Sequence, residues 1–389
     1  MLTNFTFYNP TKLYFGKDAI NGLDKELAKY GKNVLLVYGY GSIKKNGVYD
    51  AVVAKLKANG KNVFDDAGVM PNPTIEKMYG GISLVKKHKI DLILAVGGGS
   101  VVDYAKAMAS LAYEDGDLWQ RFFVEGQPVK AKNIPLAVVL TMVGTGSEMN
   151  GGSVISNIPL KQKMAYMFDT DRFPKFSILN PEYTFSVPRY QMVAGIFDIF
   201  SHILEQYISF GGELCASDYI AEGLMRSLID ASLVAVDNPV NYEARANIMW
   251  TSTWALNTLL SKAKNGDWNV HQIAHGVASQ TDATHGMALA SVSLAYYNFI
   301  LDAGVSQFKK LAVNVFKVDV KNKTDKEIAA EGLKELEKFM CKIGLVKSLA
   351  ELGFKNEMMI DALNATHLNS GGFKKVSLDD VKGILLKSM

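Results

Sequence analysis

The chain has 389 residues, 48% of them apolar and 21% charged, with a formal net charge of +3, enough for one large domain or two with separate cores. The near-neutral mixture of Lys with Asp and Glu argues against nucleic acid or an anionic membrane as partner, and no run of about 18 apolar residues offers a membrane span. Cys215 and Cys341 cannot make a disulfide framework, and the first residues lack a basic and an apolar region, so a cytoplasmic, reducing setting without a signal peptide is expected.

Aromatic and polar residues alternate over 1–15 around Asn9-Pro10, which predicts a short hairpin. A helix over about 17–30 leads into the apolar strand Asn33–Tyr38, the turn Gly39-Tyr40-Gly41-Ser42, a helix from Val48 to Ala58 and a strand at Asn62. Pro71-Asn72-Pro73-Thr74 opens the next helix, with Thr74 as its cap. Asp91–Val96 and Ile134–Leu140 read as further buried strands. Strands alternating with helices predict an α/β, doubly wound, Rossmann-like domain over residues 1–186.

Gly97-Gly98-Gly99-Ser100 falls between a buried strand and a helix, where backbone N–H groups and the positive helix end can face a pyrophosphate. Val102 takes the position of the last glycine in Gly-x-Gly-x-x-Gly, and Ser100-x-x-Asp103 also fits a capping box. The Gly39, Gly41, Ser42 turn carries no carboxylate to repel a 2′-phosphate, and Lys44 and Lys45 follow it. Asp65-Asp66 stands where an ordinary Rossmann fold places an NAD-selecting acid.

Past Ser186-Val187-Pro188 helical periodicity replaces strands, through 188–209, 214–235, 240–263, 267–280 and 286–303, so an all-α domain is expected over 187–389, opening at Ser186 and Pro188. Asp198 and His202 are four apart on a helix, as are His271 and His275, and His285 follows. A lone histidine on an apolar helix is commonly a hydrogen-bonded core residue. Four clustered with a carboxylate at ligand spacing suit a borderline divalent ion, and spacing alone leaves both His271 and His275 open as ligands. Trp250, Trp254 and Trp268, with Phe197 and Met149, could line an apolar pocket, but aromatic and Met residues at helical spacing are more often plain core, so no specificity is read from them.

The Asp-x-x-x-His and His-x-x-x-His…His-Gly segments, Gly97–Lys106 and Gly144-Thr145-Gly146-Ser147-Glu148 together resemble the iron-containing (group III) alcohol dehydrogenases, and within that family the NADPH-dependent butanol dehydrogenases. The resemblance runs from Asn9-Pro10-Thr11 to Leu378–Lys382. It implies a dehydroquinate synthase-like architecture, a homodimer, and hydride transfer between NADPH, or NADH, and a small alcohol or aldehyde such as butanal. It implies iron(II) on Asp198, His202, His271 and His285, while the donors also admit zinc(II), which the Irving–Williams order favours over ferrous ion. His275 is then left beside the substrate as a proton relay. Ribose selection falls at Gly39–Ser42. Asn72, Asp103, Thr141, Thr145, Ser147 and Lys163 match cofactor positions, Asp103 beside the nicotinamide ribose, while Met142-Val143-Gly144 departs from the commoner segment. Glu205, one turn beyond His202, reads as a supporting or surface residue. Two other functions are weighed: an NAD-linked, glycerol-dehydrogenase-like polyol enzyme, and a non-catalytic metal- or nucleotide-binding protein.

Overall fold

The structure is a computed structural model describing residues 4–210, 215–262, 264–281 and 283–389. The chain divides into two compact units, one spanning Tyr8–Val187 and the other built on Pro188–Met389.

In the first unit six strands form one parallel sheet. The chain passes through β1 (Lys12–Phe15), α1 (Gly22–Leu27), β2 (Asn33–Tyr38), α2 (Ser42–Lys45), α3 (Val48–Ala58), β3 (Asn62–Asp66), α4 (Ile75–His88), β4 (Leu92–Gly97), α5 (Gly99–Leu111) and β5 (Leu136–Leu140). It then makes the hairpin β6 (Gly152–Asn157) and β7 (Gln162–Met167) before returning as β8 (Phe176–Leu179). The sheet order is β1-β8-β5-β4-β2-β3. Alternate residues of the central strands serve opposite faces, so both faces must be apolar. Val34, Leu36 and Tyr38 of β2 and Leu92, Leu94 and Val96 of β4 join Leu23, Leu27, Val52 and Leu56 in one core. The intervening Leu35, Val37, Ile93 and Ala95 are equally buried, and α5 packs against β2, β4 and β5.

After β2 the chain first visits β3 on the outside and then crosses to β4 on the other side of β2. The strand order therefore reverses between β2 and β4, where Tyr38 pairs with Val96, and Gly97 pairs in turn with Leu140 of β5. Doubly wound sheets bind ligands outside the carboxyl ends of their strands at such a switch point. The turns leaving β2, β4 and β5 all open there.

Residues 1–3 of the expected N-terminal hairpin lie outside the described residues, and no hairpin forms over 4–15. β1 instead pairs in parallel with β8, Lys12 opposite Phe176, and the Asn9 side chain accepts from Thr11 N–H and donates to Met149 O. Thr74 does cap α4, accepting from Lys77 N–H. The polar hairpin β6–β7 is an element that sequence reading had missed.

The second unit contains α6 (Arg189–Tyr207), α7 (Ala216–Asp237), α8 (Tyr242–Ala255), α9 (Asn269–Thr281), α10 (His285–Ile300), α11 (Val305–Asn314) and α12 (Asp325–Ile343), then α13 (Met359–Asn364) and α14 (Leu378–Lys387). Ser186 does not start α6: Pro188 is its N-cap, and the Ser186 hydroxyl accepts from Asn46. Every residue of α6 from Met192 to Tyr207 is buried, as expected of a helix apolar all round. Its polar residues are therefore the informative ones. No helix among the described residues is long and apolar enough to cross a membrane.

Candidate metal and nucleotide sites

Asp198 and His202 project from one face of α6, and its inward neighbours hold that face in the core. Gly286 brings the third element close: a Cβ there would lie 1.9 Å from Ala194 O, so only glycine lets the start of α10 press against α6. The contact delivers His285. Asp198 Oδ1 lies 3.7 Å from Nε2 of His202, of His271 and of His285. A tetrahedral ion with bonds of about 2.1 Å has donor–donor edges of roughly 3.4 Å, so these separations need little contraction to close on one. Asp198, His202 and His271 are buried, with ligand atoms within 4.8 Å of one another. His271 Nε2 is buried with no hydrogen-bond partner among the described residues, a cost that a bound cation would remove. Three imidazoles and one carboxylate fit a borderline divalent ion.

His275 is buried, its ring centroid 5.2 Å from that of His285. Behind His271 lies Glu205, fully buried rather than at the surface, with Oε1 2.5 Å from Nδ1. Burial opposes a charge on His271, but Glu205 and Asp198 outweigh it and lift the imidazole to about 9. Burial and repulsion from Glu205 push Asp267 up to about 6, against hydrogen bonds from Tyr296 and Asn269. Trp268 has left-handed backbone (φ 62°) and sets its indole edge-on to His271 at 5.4 Å and 6.2 Å from His202. Trp250 and Trp254 pack on each other along α8, and Phe197 is core.

In the sheet unit, α5 starts at Gly99 with Gly98 as N-cap and no side-chain cap hydrogen bond. The glycines are needed for packing as well as for ligand approach. A Cβ on Gly97 would meet Val101, one on Gly99 would come 2.5 Å from Thr145, and one on Gly98 3.0 Å from Met142. Thr141 N–H donates to Gly97 O, tying the exits of β4 and β5. Gly41 has φ 108° ahead of Ser42 and α2. Asn72, also left-handed at φ 56°, accepts from Lys163 Nζ at 2.8 Å across 91 residues, so two predicted cofactor residues meet.

Ser100 and Asp103 make no capping box. Ser100 lies inside the first turn, and the buried Asp103 accepts from Ser147 Oγ at 2.5 Å and Val154 N–H at 3.0 Å. Lys106, fully buried, donates to Ser147 O and Oγ, Asn150 Oδ1 and Gly152 O. Burial raises the Asp103 pKa and lowers that of Lys106, each against the attraction of the other. The pair holds the Thr145–Gly152 loop and β6 against α5. Asp66 is likewise occupied, accepting from Tyr104 and Lys77, whereas the exposed Asp65 accepts from Tyr49 Oη. The Lys44 ammonium lies over the Tyr38 and Tyr49 rings, 5.0 and 4.6 Å from their centroids.

An imidazole-rich cluster in the helical unit suits a divalent ion, and glycine turns at the switch point of the parallel sheet suit a dinucleotide. Comparison narrows the class. Residues 10–181 match the family described as iron-containing alcohol dehydrogenase and residues 192–389 its C-terminal part, and the chain belongs to the iron-containing alcohol dehydrogenase family. It is 41% identical over 390 residues, all of both chains, to the probable NADH-dependent butanol dehydrogenase 1 of Bacillus subtilis. It is 35% identical over 90% of each chain to the NADPH-dependent aldehyde reductase YqhD of Escherichia coli. The crystal structure of NADH-dependent butanol dehydrogenase A from Thermotoga maritima superposes with a TM-score of 0.94 at 35% identity, covering 100% of this chain and 99% of that one. The butanol dehydrogenases here carry NADH in their names, where the sequence had suggested NADPH.

Proposed function

We propose that the protein is a metal-dependent alcohol dehydrogenase and aldehyde reductase, moving hydride between NADPH and short aliphatic aldehydes such as butanal. The observation that carries the reading is that Asp198 Oδ1 lies 3.7 Å from Nε2 of each of His202, His271 and His285. A divalent ion on these residues, iron(II) or zinc(II), would supply Lewis-acid polarisation of the substrate oxygen. Hydride chemistry belongs to the nicotinamide.

The protein's own residues do the rest. The Gly97–Ser100 turn and the start of α5 present N–H groups to the pyrophosphate, and the Gly39, Gly41, Ser42 turn receives the adenosine ribose. Asn72, Thr141, Thr145, Ser147 and Lys163 line the path of the dinucleotide, and Asp103 shapes that wall through Ser147. His275, its ring centroid 5.2 Å from that of His285, holds at its imidazole the proton exchanged with the substrate oxygen. The Trp268 indole bounds the apolar side of the ligand cluster and favours a short aliphatic chain.

NADPH is the proposed donor because the β2 turn holds no acid, Lys44 stands beside it, and the buried Asp66 is taken up in an ion pair with Lys77. The relatives divide on this point by name, NADH at 41% identity and NADPH at 35%. Initial rates of butanal reduction with each cofactor test both parts. We expect kcat/KM with NADPH at least equal to that with NADH. A tenfold preference for NADH moves ribose selection to Asp65, and no turnover with either removes the aldehyde-reductase reading.

A further inference from the structure

We propose that Glu205 is the positioning residue that fixes the tautomer of His271, and so decides whether the ligand cluster can hold a metal ion. The inference deepens the metal-site reading above and rests on it.

Glu205 sits on α6 one turn beyond His202, with its side chain wholly inaccessible. Its two carboxylate oxygens have separate tasks. Oε1 lies 2.5 Å from His271 Nδ1 and accepts from Ser201 Oγ at 3.3 Å. Oε2 accepts from the N–H of Val270, in the first turn of α9, at 3.0 Å. The Glu205 carbonyl accepts from Asp267 N–H at 2.9 Å, so the same residue also clamps the segment before α9. On the far side of the ring, His271 Nε2 faces Asp198 Oδ1 at 3.7 Å.

An imidazole that takes a metal ion on Nε2 is neutral and carries one N–H, and a carboxylate can only accept. With both Glu205 oxygens committed to donors, the proton must stay on Nδ1, and the Nε2 lone pair points at the cluster. The carboxylate also raises the basicity of the ligand nitrogen. A carboxylate is costly at a wholly buried position unless its charge is matched, and two further buried carboxylates, Asp198 and Asp267, lie nearby. A helix-terminus clamp alone would need only an amide oxygen on Val270. The charge is explained by the imidazole and the cation beyond it.

Glu205→Gln separates these roles, since an amide has one acceptor oxygen and one donor NH2. If the oxygen keeps Val270 N–H, the NH2 must donate to Nδ1, which places the ring proton on Nε2 and blocks the metal. The flipped amide opposes NH2 to the Val270 N–H instead.

The experiment is Co(II) titration of chelator-stripped protein, followed by the d–d absorption and by chelator competition, with thermal unfolding of the metal-free forms alongside. Wild type, Glu205→Gln and His271→Ala are compared. We expect Glu205→Gln to lose about 10–100-fold in Co(II) affinity, the range typical of removing such ligand-orienting partners, with an unchanged or higher metal-free melting temperature. Co(II) affinity within threefold of wild type, with a lowered melting temperature, makes Glu205 a structural clamp and overturns the proposal alone. Failure of the wild type to bind Co(II) overturns the metal-site reading and the proposal with it. If the variant does not fold, the wild type still decides. Zn(II)-loaded, 15N-histidine-labelled protein should show an exchange-protected Nδ1–H that is missing from His271→Ala, and its absence from wild type overturns the proposal.

Discussion

Replacing Gly286 by alanine adds one methyl group to the first turn of α10, next to His285. The built Cβ lies 1.9 Å from Ala194 O, 2.5 Å from its carbonyl carbon and 2.9 Å from its Cα, all main-chain atoms of α6 that cannot rotate away. Ordinary contact begins near 3.4 Å, so α6 and α10 must part by about 1.5 Å. Overpacking of this kind typically costs about 1–3 kcal/mol. The effect on the site is larger in proportion, because metal–donor distances tolerate only about 0.2 Å of error and His285 moves with the helix. We expect Gly286→Ala to unfold at lower temperature and to bind Co(II) or Zn(II) at least about 100-fold more weakly in chelator competition, beyond the loss expected from an orienting residue. Wild-type metal affinity in Gly286→Ala would refute the reasoning, since it would mean that the close approach of α10 is not what delivers His285.

Two further variants test the sheet unit. Burial works to raise the Glu26 carboxyl, but Lys12, Lys29 and Tyr14 overcome it and hold the group at about 2. Because the folded pKa is depressed, the stabilisation is present above about pH 4.5 and is lost as pH falls towards 2. The lysines are more than half exposed, so screening reduces the gain, and Glu26→Gln should cost roughly 1–2 kcal/mol in urea unfolding at pH 7 and much less at pH 3. Lys106→Met removes the donor shared by four oxygens of the Ser147–Gly152 segment, which should cost about 3–5 kcal/mol and raise KM for the nicotinamide cofactor more than it lowers kcat. An unchanged cofactor KM would show that this loop does not shape the nucleotide site.

Features written within one helical turn were legible in the sequence. Asp198 with His202 repeats at four residues, and the segment carrying His271 and His285 is short enough to read as one cluster. The continuous apolar runs of β2, β4 and β5 show a sheet buried on both faces. Features that depend on distant partners were not legible. Ser100-x-x-Asp103 has the local form of a capping box, yet Asp103 answers to Ser147 and Val154, 44 and 51 residues away. Glu205 looks like a charge one turn past a ligand, and its meaning comes from His271, 66 residues on. The alternation around Asn9-Pro10 suits a strand, but which strand it joins depends on β8, at the far end of the unit. Asp65-Asp66 reads as a pair, and only the fold turns one inward to Tyr104 and Lys77 and leaves the other exposed.

The central claim is that four side chains of the helical unit hold one catalytic divalent ion. The measurement that tests it most directly is butanal reduction by chelator-stripped protein before and after anaerobic addition of Fe(II) or Zn(II), with metal content determined on the same samples and on Asp198→Asn. The account predicts negligible activity after stripping, recovery with about one equivalent of metal per chain, and neither binding nor recovery in Asp198→Asn. Full activity in protein shown to be metal-free, or full recovery in Asp198→Asn, would contradict it.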